Sequence, residues 1–196
     1  MTANGLASGA PLFVALLAVV LAVAIAGYLV VASYNAVMAL RQRIDKAWAN
    51  IDVMLKQRHD QLPALVAAVR GLMTFEAGVL EDVTRARAAY APTAPIPAQA
   101  AVSEATTLAV RWLIATVERY PDLTSHQNVL DLQHEIERLE SMIADRRELY
   151  NDQVFRYNTK ITTWPTLLFA SVFGWKARPF FVAGPAETVR PETSLS

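Results

Sequence analysis

The chain has 196 residues, and its 18 Lys and Arg residues are balanced by 18 Asp and Glu residues. This balance, without any dense basic block, excludes the electrostatic footprint of nucleic-acid binding, and we predict no nucleic-acid partner. The chain contains no cysteine, which excludes disulfides and thiolate metal sites.

An uncharged apolar run covers residues 12–33 and follows a short N-terminal tail over residues 1–11. At about 1.5 Å rise per residue, a helix of this run is about 33 Å long. The hydrocarbon core of a bilayer is about 30 Å thick. The run therefore predicts a transmembrane helix.

A cleaved signal peptide is the alternative interpretation of this run, because Ala24, Ile25 and Ala26 resemble a cleavage site. However, no Lys or Arg precedes the run, and apolar residues continue beyond the possible cleavage site. Both features favour an uncleaved anchor. Since Arg41 and Arg43 follow the run, the positive-inside rule predicts an external N-terminus and a cytoplasmic C-terminal part.

Four amphipathic helices are predicted after the anchor, because apolar residues recur at steps of three and four. Asp60 can cap the second helix, with Pro63 in its first turn. The fourth helix has nearly uninterrupted heptad spacing, which is typical of a coiled coil. We expect an all-α fold, in which the transmembrane helix is continuous with an antiparallel up-down four-helix bundle over residues 34–163. The predicted helices cover about residues 34–58, 62–90, 101–118 and 126–162.

An apolar segment over residues 164–183 follows the fourth helix, and its ten apolar residues at 166–175 are too few to span a bilayer. Two interpretations stay open. The segment lies in the membrane interface, with basic residues facing anionic lipid, or it packs against the foot of the bundle. Residues 184–196 are polar and predicted to be disordered. The residues assigned to the membrane interface are Trp164, Phe169, Phe173, Trp175, Lys176 and Arg178.

Five motifs resemble the signature of the LemA family. The resemblance implies a single-pass protein of the bacterial inner membrane, with one N-terminal anchor and a helical bundle domain. It implies no reaction, although one branch of the family is associated with building magnetosome membranes. The motifs are AWANIDVMLKQRHDQLPALV at 47–66, ERYPDL at 118–123, RELYND at 147–152, RYN at 156–158 and Pro165 followed by FGW at 173–175.

Polar residues stand on or beside the apolar seams of the predicted helices. Among them, the Tyr-Asn pairs at 150–151 and 157–158 are seven residues apart, so both present the same helix face. These polar groups form either a buried network that fixes helix register or a groove for a partner helix or lipid headgroup. The residues assigned to this polar seam are Arg41, Glu76, Arg87, Arg147, Tyr150, Asn151, Tyr157 and Asn158.

The sequence predicts no catalytic, metal or cofactor site. His59, His126 and His134 have no second histidine at the spacing of a helical metal site, and no nucleophile elbow is present. We therefore expect a membrane-anchored scaffold or adaptor rather than an enzyme. Its partners would be the lipid bilayer and either a second copy or another membrane protein. The alternative is a sensory or regulatory module that binds a small ligand or a membrane enzyme in the polar groove.

Overall fold

The computed structural model of the protein describes residues 9–70, 77–120 and 126–182. These residues form five helices and no β-strand, which confirms the predicted all-α class. Glu76 and the predicted disordered tail at 184–196 lie outside the described residues. The helices are α1 (Gly9–Arg70), α2 (Ala77–Ala88), α3 (Ile96–Val117), α4 (Gln127–Thr162) and α5 (Leu167–Ala170).

The chain divides into two compact units. Unit 1 comprises Met1–Arg43 and Phe155–Arg178, as far as the structure describes them. It holds the apolar part of α1, the last turns of α4 and the whole of α5. Unit 2 comprises Ile44–Val154 and Pro179–Ser196, with the same restriction. It holds the remainder of α1 and α4, together with α2 and α3.

The apolar part of α1 is long enough to cross a membrane. Its most apolar 18-residue window has a mean hydropathy of 2.9 and is 0% buried. α3 also passes this test of length and composition, but 39% of its window is buried. Because Val110 and Leu113 of α3 are both 0% exposed, α3 has the character of a core helix. The length, hydropathy and exposure of the apolar part of α1 therefore agree with the predicted anchor.

The turn predicted near residues 59–61 is wrong, because α1 continues through this region to Arg70 with Pro63 inside the helix. Burial of apolar side chains on both sides of the predicted turn outweighs the backbone hydrogen bond that the proline removes. α2 consequently begins at Ala77 rather than near residue 62. The buried residues that continue the α1 seam across this region are Leu55, Leu62, Leu65 and Val69.

The later helices lie close to their predicted positions. α4 spans Gln127–Thr162, where residues 126–162 were expected. α3 begins at Ile96, five residues before the predicted start. Pro95 occupies the N-cap position and a second proline lies in the first turn. N–H groups at these positions have no partner within a helix, so their absence removes no helical hydrogen bond. A proline-rich stretch expected to be loop thus starts a helix.

The core of unit 2 draws on all four of its helices. Fully burying an aliphatic side chain contributes about 1.5–3 kcal/mol, so this shared cluster is what holds the helices together. It consists of Leu62, Leu65, Val66 and Val69 from α1, Leu80 and Val83 from α2, Val110, Leu113 and Val117 from α3, and Val129 and Ile136 from α4.

Candidate functional site

In unit 2, the first Tyr-Asn pair of α4 holds the backbone of the C-terminal segment. The Asn151 side chain accepts a hydrogen bond from the Phe181 N–H at 2.8 Å and donates to the Phe181 carbonyl at 3.3 Å. The Tyr150 hydroxyl donates to the Pro179 carbonyl at 2.9 Å. The asparagine amide therefore pairs with the segment as a neighbouring β-strand would.

In unit 1, the second Tyr-Asn pair makes the same set of bonds. The Asn158 side chain accepts from the Arg178 N–H at 2.9 Å and donates to the Arg178 carbonyl at 3.0 Å. The Tyr157 hydroxyl donates to the Lys176 carbonyl at 3.0 Å. Because these six bonds all reach main-chain atoms of the segment, they hold an extended backbone and do not depend on particular side chains. We call these two pairs the clasps.

An aromatic side chain anchors the segment in unit 2. Phe181 is 1% exposed, and its ring centroid lies 5.7 Å from that of Trp48. Trp48 in turn lies 5.7 Å from the ring of Tyr150, edge to face. Residues after Arg178 therefore pack on the helices, as one of the two interpretations of the segment requires.

In unit 1, the segment meets α1 directly after the apolar run. The ring of Tyr34 lies 5.4 Å from Phe173 and 6.2 Å from Trp175. Phe173 and Trp175 stack on each other at 5.0 Å. Trp175 is only 8% exposed, so this predicted interface residue faces protein. Because Tyr34 immediately follows residues 12–33, these contacts fasten the segment at the end of the run.

Residues 164–173 form an exposed apolar turn in unit 1, and we call this stretch the apolar turn. Trp164 is 69% exposed and Val172 is 77% exposed. Leu167 and Leu168 of α5 are 52% and 60% exposed, whereas Phe169 is half-buried. Several large apolar side chains exposed within ten residues are typical of an interaction site. The predicted interfacial segment is thus divided, since its first part exposes large apolar side chains, whereas its second part is held by its backbone and buries Trp175 and Phe181.

Within unit 2, two other residues of the predicted polar seam, Arg147 and Arg87, line different pockets. Arg147 is an exposed residue whose guanidinium lies 3.3 Å from a carboxylate oxygen of Glu104. The Arg87 Nε donates to the backbone carbonyl of His59 at 3.1 Å. Arg41 is half-buried in unit 1. In unit 2, Arg147 and Arg87 therefore make separate contacts.

A buried charge network in unit 2 was not predicted from the sequence. Arg58 is 4% exposed, and its Nη1 lies 2.7 Å from the Glu140 carboxylate. The same guanidinium donates to the hydroxyls of Thr107 at 3.1 Å and Ser103 at 3.0 Å. The Thr107 hydroxyl donates to Glu140 at 2.6 Å. These bonds join α1, α3 and α4 and satisfy a charge that burial would otherwise penalise.

Glu135 makes a second polar contact between α1 and α4. Its carboxylate accepts from Gln57 and Gln61, each at 3.2 Å, and from Arg138 at 2.6 Å. Hydrogen bonding to Arg138, followed by the bond from Gln61, lowers the pKa of Glu135 from 4.5 to about 2. The carboxylate therefore remains ionised, and keeps these bonds, far into the acidic range.

An open groove of about 350 Å³ lies between α3 and α4 in unit 2. It has a partly apolar floor and charged walls of both signs, as a site for a small polar ligand would. In the described part of the chain, no group of three or more metal-ligating side chains is gathered. The charged residues that line the groove are Glu104, Arg111, Glu137, Glu140 and Arg147.

Together, the exposed apolar helix, the apolar turn and the buried helical core define a membrane-associated helical protein. The profile of the LemA family matches residues 47–194, which is most of the chain. The protein belongs to the LemA family.

Curated relatives match a shorter stretch. The chain is 36% identical over 74 residues to the magnetosome proteins MamQ 1 and MamQ 2 of Paramagnetospirillum magneticum. It is 34% identical over 74 residues to the magnetosome protein MamQ of Magnetospirillum gryphiswaldense. Each match covers 38% of this chain and 27% of the relative. The chain thus spans about a quarter of the length of these relatives.

Proposed function

We propose that the protein is a membrane-anchored helical scaffold or adaptor that contacts the bilayer twice from unit 1. The first contact is the apolar part of α1, and the second is the apolar turn. The proposal rests on the position of the apolar turn. Tyr34 directly follows the apolar run, and its ring lies 5.4 Å from the ring of Phe173 in the turn. Exposed Trp164 and Leu168 are then at the level where aromatic and aliphatic side chains enter the bilayer interface.

The orientation in the proposal places the N-terminus outside the bacterial inner membrane and unit 2 in the cytoplasm. It is supported by the cations Arg41 and Arg43 on one flank of the run and the absence of Lys and Arg from the other flank. Positive flanks are retained in the cytoplasm.

Within unit 2, the proposal includes an antiparallel four-helix bundle. The contacts between α3 and α4 support opposite directions, since Glu104 meets Arg147 and Thr107 meets Glu140. Residue numbers thus rise along α3 while they fall along α4. Such a bundle is a rigid body suited to protein contacts.

The proposed role is structural, not enzymatic, and its partners are the bilayer and either a second copy or another membrane protein. The matched relatives are named as magnetosome proteins, and these names state no reaction. A second candidate function is a sensory module. The groove beside Glu104, Arg111 and Arg147 favours it, and saturable binding of a small polar ligand there would replace the scaffold proposal.

Site-directed spin labelling tests the second membrane contact, because the chain has no cysteine of its own. We expect a nitroxide at Leu168→Cys, in the full chain in nanodiscs, to be accessible to oxygen and protected from a water-soluble nickel chelate. The matched control is Val53→Cys in unit 2, because Val53 is 58% exposed and Leu168 is 60% exposed. The control label should be accessible to the chelate.

Equal chelate accessibility at the two positions would refute membrane contact by the apolar turn. Single cysteines also test the orientation. An impermeant thiol reagent added to intact cells should label Thr2→Cys and spare Ser196→Cys, and the reverse pattern would refute the orientation.

A further inference from the structure

A small crevice between α1 and α3 in unit 2 contains two buried polar atoms that need a partner. The crevice has a volume of about 10 Å³, and His59 and Gln99 both line it. His59 Nδ1 and Gln99 Oε1 are buried, and neither has a hydrogen-bond partner in the part of the chain that the structure describes. Because burying a polar atom without a partner is costly, two such atoms in one crevice indicate a ligand that bonds to both.

The Gln99 side chain is held so that its oxygen is the atom without a partner. Gln99 is 5% exposed, and its Nε2 donates to the carbonyls of Pro92 at 3.0 Å and Ala94 at 2.8 Å. Since both of these partners are acceptors, only the amide nitrogen can stand in this position. The oxygen of the same amide therefore requires a donor from a bound molecule.

The His59 ring is positioned by two neighbours of the crevice. Its centroid lies 4.9 Å from that of the Tyr90 ring. The carbonyl of the same residue accepts a hydrogen bond from the Arg87 Nε at 3.1 Å. A neutral imidazole has one donor and one acceptor nitrogen, so a molecule that can both donate and accept satisfies Nδ1 in either tautomer.

The size and the charge of the crevice select the ligand. A volume of about 10 Å³ is close to the smallest that holds one water molecule, so an organic molecule does not fit. A cation would lie beside the guanidinium groups of Arg58 and Arg87, and no carboxylate is among the described residues that line the crevice. An anion cannot donate to the Gln99 oxygen. A small neutral donor is the class that remains.

We propose that the crevice binds one water molecule, which donates to Gln99 Oε1 and forms a second hydrogen bond with His59 Nδ1. Because Gln99 also holds the carbonyls of Pro92 and Ala94, the water connects α1 to the turn that precedes α3. The site belongs to unit 2 alone and does not depend on the membrane contact proposed for unit 1.

Oxygen-17 relaxation dispersion tests this site, because it counts the water molecules that stay bound for longer than the protein tumbles. We expect His59→Phe, in the full chain in mild detergent, to hold one long-lived water fewer than wild type. Phenylalanine keeps a ring against Tyr90 and removes Nδ1. The matched control is His134→Phe, since His134 is exposed on α4, and its count should equal that of wild type. An unchanged count in His59→Phe, or an equal loss in both variants, would overturn the site.

The wild-type chain provides a second test that holds even if His59→Phe does not fold. Val102 lines the crevice, so its methyl protons should show a nuclear Overhauser effect from water, with the sign of a water that tumbles with the protein. The control is Val53, which is 58% exposed and should show only the weak effect of mobile surface water. Effects of equal size and sign at the two valines would overturn the site.

Discussion

The burial of Arg58 could have been predicted from the sequence. It stands three residues after Leu55 and four before Leu62, at a seam position that is otherwise apolar. A charged residue at such a position must find a partner on another helix or leave the core. The periodicity could therefore have identified Arg58 as buried, but Glu140 could not be identified as its partner, because the pairing depends on the packing of α4.

The first prediction concerns this buried pair. Glu140→Met leaves the Arg58 guanidinium buried without its carboxylate, and we expect the free energy of unfolding to fall by about 3–5 kcal/mol. The double variant Arg58→Met and Glu140→Met removes both charges and should lie within about 1 kcal/mol of wild type. Denaturant titrations in mild detergent measure both changes.

The control for this cycle is an exposed ion pair. The Arg85 guanidinium lies 2.7 Å from Asp82, with side chains 68% and 62% exposed. Arg85→Ala should change the free energy of unfolding by less than about 1 kcal/mol. If Glu140→Met were as mild as Arg85→Ala, the buried pair would not be important for stability.

The two clasps show what spacing can and cannot predict. Seven-residue spacing placed Tyr150 and Tyr157, with the asparagines that follow them, on one face of α4. Their partners are main-chain atoms of the C-terminal segment. A backbone partner has no side-chain signature, so the sequence offered no means of naming it.

The second prediction concerns the clasp in unit 1. Asn158→Asp replaces the amide that donates to the Arg178 carbonyl at 3.0 Å with a carboxylate oxygen that repels it. Loss of such a bond costs about 1–3 kcal/mol, so local opening should increase by roughly tenfold. Trypsin cleavage after Lys176, followed by mass spectrometry, measures this opening.

Asn128→Asp is the control for this cleavage, because Asn128 is exposed near the start of α4. We expect its cleavage rate after Lys176 to match that of wild type. A wild-type rate in Asn158→Asp would show that the clasp does not limit opening of the segment.

Among the helices, α1 was predicted to end near residue 58, but it continues to Arg70. Asp60 and Pro63 are typical of a helix start, yet the apolar seam passes through them without a change of phase. Pro63 lacks an N–H, so the His59 carbonyl loses its usual donor within the helix. The Arg87 Nε donates to that carbonyl at 3.1 Å. A side chain from another part of the chain thus replaces the missing helical bond.

The third prediction is a coupling between these positions. Arg87→Met should lower the free energy of unfolding by about 1–3 kcal/mol, because the His59 carbonyl is left without a donor. In a Pro63→Ala background the new N–H supplies that donor, and the same change at Arg87 should cost much less. A double-mutant cycle from denaturant titrations measures the coupling. Additive effects would mean that Arg87 contributes in some other way.

The predicted bounds agree with the structure more closely for α4 than for α3. α4 lies within one residue of its predicted bounds, because its heptad pattern is long and strong. The start of α3 was missed, since Pro95 and Pro97 were interpreted as loop residues although prolines also begin helices. Patterns that repeat over many residues were predictable, whereas boundaries that depend on one or two prolines were not.

At the scale of the whole molecule, self-assembly is the property most open to test. Trp112 on α3 and Leu149 on α4 are 68% and 51% exposed, and large apolar side chains at such exposure favour contact with another protein. We expect a photoreactive residue at Leu149 to crosslink the chain to a second copy in living cells. The control position is Glu81, which is 75% exposed beside Arg85 and should give no such product.

Mass spectrometry of the crosslinked product identifies the partner. A single recurrent foreign membrane protein at Leu149 would replace the self-assembling scaffold by an adaptor. Equal self-crosslinking at Leu149 and Glu81 would indicate crowding in the membrane, and would contradict a specific contact.

The apolar parts of the chain were predicted from composition, and their shape was not. Hydropathy located both the anchor and the apolar segment at 164–183. It could not distinguish the exposed side chains of the apolar turn from the buried side chains beyond it, because Trp164 is 69% exposed and Trp175 is 8% exposed although they are the same residue type. Burial of Trp175 depends on Tyr34, which is more than a hundred residues away in the sequence.

The clasps have a consequence for how this protein can change over time. Since the hydrogen bonds of the clasps to the segment reach main-chain atoms, the side chains of Lys176, Ala177 and Phe180, which are exposed, supply none of the atoms in these bonds. Substitutions at these positions therefore keep the clasp hydrogen bonds and change only the exposed side chains. Natural variants of the protein can therefore differ at each of these positions, one residue at a time, and keep every hydrogen bond of the clasps.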